Sequence, residues 1–232
     1  MTGLEIIKKA GEEKRAVLTE IEAKHILTEI GINCTATLLA ASKREAVELS
    51  EKIGYPVVLK ISSVDITHKS DAGGVKVNLK SQDEVERAFD QIMEGARSRF
   101  PSANIEGVSV QAMAKPGVEI IMGMIRDASF GKVLMFGLGG VLVEVLKDVA
   151  FRIVPIERND AVEMIEEIKG RKLLEGYRGQ EPVDIAYLQD MLLKLSDFVD
   201  QTPGIEEIDM NPVFAYKEGA AVVDARIILS VD

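Results

Sequence analysis

After Pro101 the sequence lays strand-like runs one after another, at 107–113, 118–126, 132–138 and 150–156. It closes on two more, Glu207 to Tyr216 and Ala220 to Leu229, joined by the turn Lys217-Glu218-Gly219. Between them lie two helical stripes, one through Ala161, Met164, Ile165 and Ile168, the other through Ile185, Leu188, Leu192, Leu195 and Val199. Strands interleaved with helices, without regular βαβ alternation, predict an α+β chain with largely antiparallel sheets. The first hundred residues fit the same class. Three segments carry the S/T-x-x-E helix-start signal, at Thr19…Glu22, Ser42…Glu45 and Ser81…Glu84. Gly31 stops the first helix, and Val85, Ala88, Phe89, Ile92 and Ala96 form one buried stripe on the third. With strand-like runs at Pro56–Ile61 and Gly73–Leu79, residues 19–100 read as α-α-β-β-α.

Composition removes several classes. The 232 residues carry a net charge of −10, which argues against an extended nucleic-acid contact, since phosphate neutralisation needs a basic face. The longest uncharged apolar run, Val133 to Val143, is too short to span a bilayer, and the first residues have no apolar signal core. Cys34 is the only cysteine, so no internal disulfide forms and a reducing, cytoplasmic compartment is expected. Two histidines cannot build a multi-histidine metal site. The loop 173–182, LLEGYRGQEP, is polar, rich in turn formers, and reads as mobile or partner-facing.

Four constellations carry chemistry. Lys60 ends the apolar run VVLK, where it needs an anion or a mouth to water. The segment 65–77 joins a polar stretch to Gly73-Gly74, which is either a plain turn or a backbone that lets a phosphate approach. It holds His68, a loop imidazole with the pKa of a nucleophile or proton carrier at neutral pH, whereas His25 lies on a helix and reads as structural. Gly137-Leu138-Gly139-Gly140 is glycine-rich but fits neither the P-loop nor the dinucleotide pattern. Last, strand alternation puts Glu207, Asp209 and Asn211 on one face, with Asp224 opposite Asn211 on the next strand. That set is either a solvated acidic edge or a site for a hard cation, Mg²⁺ before zinc.

In this order, Leu18-Thr19-Glu20…Ala23-Lys24, Pro56-Val57-Val58-Leu59-Lys60, His68 to Val75, Gly139-Gly140-Val141 and Asp209-Met210-Asn211-Pro212 resemble the ATP-grasp fold. More narrowly, the chain resembles the nucleotide-binding β subunit of ADP-forming acetyl-CoA (acyl-CoA) synthetases, relatives of succinyl-CoA synthetase. The resemblance covers nearly all of residues 15–232. It implies two lobes with largely antiparallel sheets, at 19–109 and 110–232, after a docking segment at 1–18. It implies Lys60 and the Gly73-Gly74 backbone on the nucleotide phosphates, and Val110-Gln111-Ala112-Met113 as the linker that meets the adenine edge. Glu119 takes the ribose hydroxyls, Asn211 and Asp224 hold Mg²⁺ with Asp209 as a further ligand, and His68 is the phosphate carrier. A histidine at that place favours the ADP-forming acetyl-CoA type over succinyl-CoA synthetase. Lys69, Lys76 and Arg152 are further candidates for balancing phosphate charge.

The activity implied is acyl-CoA + ADP + phosphate ⇌ acid + CoA + ATP, through an acyl phosphate and a phosphohistidine relay. Two lobes leave no residues for a CoA site, so a CoA-binding α subunit is expected, in an α₂β₂ assembly. The alternatives are a regulatory nucleotide-binding subunit, which has no use for His68, and another ATP-grasp carboxylate ligase, which needs a substrate domain before the grasp.

Overall fold

The computed structural model describes residues 1–66, 69, 72–140, 147–179 and 181–230. They form two compact units. The smaller comprises Thr19–Ile21 and Thr35–Ala114; the larger takes Met1–Leu18, Glu22–Cys34 and Lys115–Asp232.

The smaller unit is a four-stranded sheet in the order β1-β4-β2-β3, built from β1 (Thr37–Ala40), β2 (Val57–Ser62), β3 (Val75–Leu79) and β4 (Gly107–Ala112). Every pairing in it is antiparallel. Helices α3 (Lys43–Ile53) and α4 (Gln82–Arg99) start where the sequence signals them. The Ser42 and Ser81 hydroxyls accept the Glu45 and Glu84 amides at 3.2 and 3.3 Å. The two glutamates reach back one residue further than the usual box, to the amides of Ala41 and Lys80. The expected stripe of α4, joined by Met93, packs on Val57, Leu59, Ile61, Val108 and Val110. Removing such side chains from water is worth roughly 1.5–3 kcal/mol each, so the stripe fixes which sheet face the helices cover.

The larger unit is a sheet ordered β10-β8-β5-β6-β7, with β9 also pairing β8. Its strands are β5 (Val118–Asp127), β6 (Gly131–Leu138), β7 (Val149–Ile153), β8 (Ile205–Ala215), β9 (Ala220–Val222) and β10 (Ala225–Leu229). These ladders too are antiparallel. Ile120, Met122, Met124, Leu134, Phe136, Ile208 and Met210 join Leu188, Met191, Leu192 and Leu195 in one core. The last four lie on α6 (Ile185–Gln201), whose start Asp184 caps by accepting the Tyr187 amide at 3.0 Å. Helices α1 (Gly3–Glu12), α2 (Glu20–Glu29) and α5 (Arg158–Glu167) add Ile6, Ala10, Ile26, Leu27, Met164 and Ile165 to that core.

The α+β class and the antiparallel sheets are as expected. Two local features differ from the expectation, and a third agrees with it only in part. Strand β1 was absent from the α-α-β-β-α order, because Thr37-Leu38-Leu39-Ala40 runs straight into an alanine-rich helix start and shows no alternation of its own. The run 220–229 is two strands, interrupted at Val223 and Asp224. The loop from Leu173 is tied down at its start, where Leu174 is fully buried behind a 3₁₀ turn at Lys169–Leu173.

Candidate nucleotide site

On β2 the side chains alternate. Val57, Leu59 and Ile61 enter the core, while Val58, Lys60 and Ser62 take the opposite face. Register places Ser109 of β4 beside Lys60, Gln111 beside Val58, and Thr37 of β1 beside Gln111. One face of the small sheet is therefore oily, and the other carries Lys60, Ser109, Gln111 and Thr37 alongside Val58. Lys60, 5% exposed, finds its anion in the chain itself: its ammonium donates to Glu20 Oε1 at 2.7 Å. The other oxygen of Glu20 accepts from Lys69 Nζ at 2.7 Å.

Around the glycine pair, the Gly74 amide donates to the Lys69 carbonyl at 2.8 Å and its own carbonyl accepts from Ile61 at 2.7 Å. A side chain at Gly74 would meet Ile61 Cγ2 at 2.6 Å, so glycine is what lets the loop close against β2. Gly73 has φ +68°, a left-handed backbone that glycine adopts without strain. His68 lies outside the described residues. Arg152 is engaged by α5, through Glu167 at 2.9 Å and Glu163 at 3.4 Å.

At the end of β4 the Met113 amide donates to the Pro56 carbonyl at 3.0 Å. Antiparallel ladders alternate, so Gln111 turns its peptide groups to Val58 and Ala112 turns its own the other way. On that side β1 reaches only as far as Thr37, opposite Gln111. The chain passes into the larger unit between Ala114 and Lys115. The Gln111 side chain is 1% exposed, and its Oε1 accepts from the Thr37 hydroxyl at 3.4 Å.

In the larger unit Ile208 and Met210 of β8 are buried and Glu207, Asp209 and Asn211 share the other face. The Asn211 amide donates to the Asp224 carbonyl at 3.2 Å, which puts these two residues opposite each other. Arg226, the register partner of Asp209, pairs with Glu207 and lies 4.0 Å from Asp209 Oδ2. Burial pushes the Asp209 carboxyl above the usual range; Arg226 opposes this, and Glu207 and Asp224 reinforce it. Next to this strand, Lys24 of α2 is buried and donates to the Val223 carbonyl at 2.7 Å, one residue before Asp224.

Among the described residues no three His, Cys, Asp or Glu side chains converge on a point that could hold a metal alone. Two carboxylates and an amide on neighbouring strand positions instead suit a hard cation that takes its remaining ligands from phosphate and water. The crowded carboxylates around Asp209 fit such a cation, because their mutual repulsion is relieved by a positive charge.

Glu119 lines a cavity of about 640 Å³ with Val118, Leu138, Gly139, Gly140, Tyr216 and other residues of the larger unit. The sequence left the role of Gly139-Gly140 open. In the fold the Gly139 amide donates to the Glu119 carbonyl at 2.7 Å, and a side chain at Gly140 would sit 2.6 Å from Glu119 Oε2. The pair is the wall that makes room for the Glu119 carboxylate. Glu20 and Arg226 were the functional neighbours sequence reasoning passed over. Glu20 stood within a quoted motif but carried no role.

The ATP-grasp domain family matches residues 9–229. The acetate–CoA ligase [ADP-forming] I subunit beta of Pyrococcus furiosus is 51% identical over 225 residues, 97% of each chain. The chain belongs to this family of ADP-forming acetate–CoA ligase β subunits. Among solved structures, the dinucleotide forming acetyl-coenzyme A synthetase 1 of Ca. Korarchaeum cryptofilum, in complex with coenzyme A, Ca-AMPCP and HgCl⁺, superposes with a TM-score of 0.95. It is 49% identical and the match covers 99% of this chain and 100% of that one. A second form of that enzyme, with coenzyme A and Mg-AMPPCP and its phosphohistidine segment pointing towards the nucleotide binding site, matches at a TM-score of 0.87 and 46% identity, with the same coverage. Membership settles the class: an ATP-grasp subunit of an acid–thiol ligase, whose designation as a β subunit implies an α partner.

Proposed function

We propose that this chain takes the phosphoryl-transfer half of acyl-CoA + ADP + phosphate ⇌ acid + CoA + ATP, with His68 as carrier. The observation that carries the reading is the face shared by Asp209 and Asn211 with Asp224 across the strand pair. Asn211 and Asp224, with Asp209, hold the Mg²⁺ that accompanies the nucleotide, which supplies neutralisation of phosphate charge. Lys60 and the Gly73-Gly74 backbone take phosphate oxygens, the Gln111-Ala112-Met113 backbone takes the adenine edge, and Glu119 takes the ribose hydroxyls. The relative whose phosphohistidine segment points towards its nucleotide binding site supports the carrier role, and so does the place of His68 in the sequence just ahead of Lys69.

The transfer is balanced at three atoms. An unprotonated ring nitrogen of His68 attacks the γ-phosphorus of ATP, the P–N bond forms, and the P–O bond breaks with its electron pair leaving on ADP. In the synthetic direction ADP takes the phosphoryl group back, after an acyl phosphate has formed on a CoA-binding α subunit and the group has passed to His68. We place the assembly as α₂β₂ in the reducing cytoplasm, with residues 1–18 docking the partner through the exposed side of α1, where Leu4 lies open. Among the described residues no helix is long and apolar enough to cross a membrane.

The decisive test is His68→Ala in the complete complex. The variant is expected to lose acid-labile labelling from γ-labelled ATP-Mg and to lose acyl-CoA-dependent ATP synthesis. Full synthesis by the variant would rule out the relay.

A further inference from the structure

Among the described residues, Glu20 is a buried carboxylate of the smaller unit that has no role in the proposed nucleotide site. Its side chain is 4% exposed, between Lys60 at 6% and Lys69 at 17%. A buried ion pair gives little net stability over apolar residues of the same size, because desolvation cancels most of the attraction. Three charged groups kept together out of water therefore point to a use for the charge itself. Two ammonium groups brought side by side repel, and the repulsion is strongest where water is scarce. Glu20 removes that obstacle by giving one oxygen to each lysine, both at 2.7 Å. The arrangement is a template: one carboxylate holds two cations beside each other, each on its own oxygen, as two oxygens of a phosphoryl group could.

The three residues come from separate stretches of chain. Lys60 is on β2, Lys69 follows His68 in sequence and is pinned by the Gly74 amide on its carbonyl, and Glu20 opens α2. We infer that Glu20 is a positioning residue for phosphoryl transfer, holding Lys60 and Lys69 together as one phosphate-binding pair. The inference rests on the nucleotide-site reading given above and adds the residue that organises it. Charge develops on the phosphoryl oxygens as the group moves, so donors fixed beforehand act on the rate more than on ground-state binding.

The experiment uses the complete complex and γ-labelled ATP-Mg, with phosphoenzyme formation followed in single turnover and nucleotide affinity measured separately. Glu20→Gln and Lys69→Gln are each expected to slow phosphoenzyme formation about tenfold or more, with Mg-ATP affinity within about threefold of the parent. Acting as a unit, the double variant is expected to be no more than about twofold slower than the slower single one. Wild-type rates in both single variants, additive losses in the double, or affinity losses equal to the rate losses would each overturn the inference. Should Glu20→Gln fail to fold, Lys69→Gln leaves the Lys60–Glu20 pair in place and decides alone, with an unchanged rate overturning the proposal. Lys60→Gln separates the two levels. If it changes neither rate nor affinity, the nucleotide-site reading fails; if it lowers them while the other variants behave as the parent, only the role of Glu20 fails.

Discussion

Single residues show the limits of alternation as a guide. The direction of Lys60 and Asp209 could be read from neighbours of fixed period, since each has buried apolar residues on either side, whereas Asn211 has one only at Met210. Glu20 could not, because its meaning lies in contacts 40 and 49 positions away. Gly140 was equally silent, as only the fold brings the Glu119 carboxylate to it. At this scale Asp209 makes a prediction with two faces. Its carboxyl has a raised pKa from burial and from Glu207 and Asp224, with Arg226 in opposition. An acid whose folded pKa lies above the unfolded one binds protons more tightly when folded. Stability then falls as pH rises from the unfolded to the folded pKa, and the deficit is complete above the folded pKa. Asp209→Asn is therefore expected to stabilise the nucleotide-free protein at pH 7 by about 1 kcal/mol at most, since the group is partly solvated. The same change should weaken Mg-nucleotide binding about tenfold. Denaturation at pH 7 and titration with Mg-nucleotide check both arms, and a variant that is less stable and binds normally contradicts the account.

Elements were legible in proportion to the strength of their local signals. Helix α4 has a serine cap, acids in its first turn and a continuous stripe, and it was readable throughout its length. Helix α1 has the same kind of signal in Thr2 and Glu5, with reciprocal bonds of 3.3 and 2.7 Å, yet it sits where a terminal docking segment was expected. Strand β1 and the break before β10 were hidden because four- and three-residue strands carry too few positions to show a period. The caps allow a direct test. Replacing Ser81 by alanine removes the acceptor for the Glu84 amide, while the Lys80 amide keeps its bond to the Glu84 carboxylate. The expected cost is about 1 kcal/mol in urea denaturation. A cost near zero would mean that the displaced glutamate bond alone fixes the start of α4.

For the whole molecule, the charge of −10 disfavours a polyanionic polymer and says nothing against one polyphosphate. What the fold adds is a division of labour. Each compact unit spends one sheet face on its own core and leaves a polar face, lined by Lys60 and Gln111 in one and by Asp209 and Asn211 in the other. Those polar groups suit phosphate, cation and nucleoside. The described residues offer no comparable third unit for coenzyme A, and the family to which the chain belongs is that of β subunits. The two half-reactions should therefore separate physically. Given γ-labelled ATP-Mg, the isolated chain is expected to form an acid-labile phosphoprotein and release ADP, because the step as proposed draws only on groups of this chain. Given acyl-CoA, ADP and phosphate, it is expected to make no ATP until a CoA-binding partner is added, whereupon synthesis should rise with partner concentration and saturate at equimolar chains. Acyl-CoA-dependent ATP synthesis by the isolated chain would place the acyl chemistry here after all and overturn the division. Labelling that appears only when the partner is present would instead locate part of the phosphoryl site on the partner.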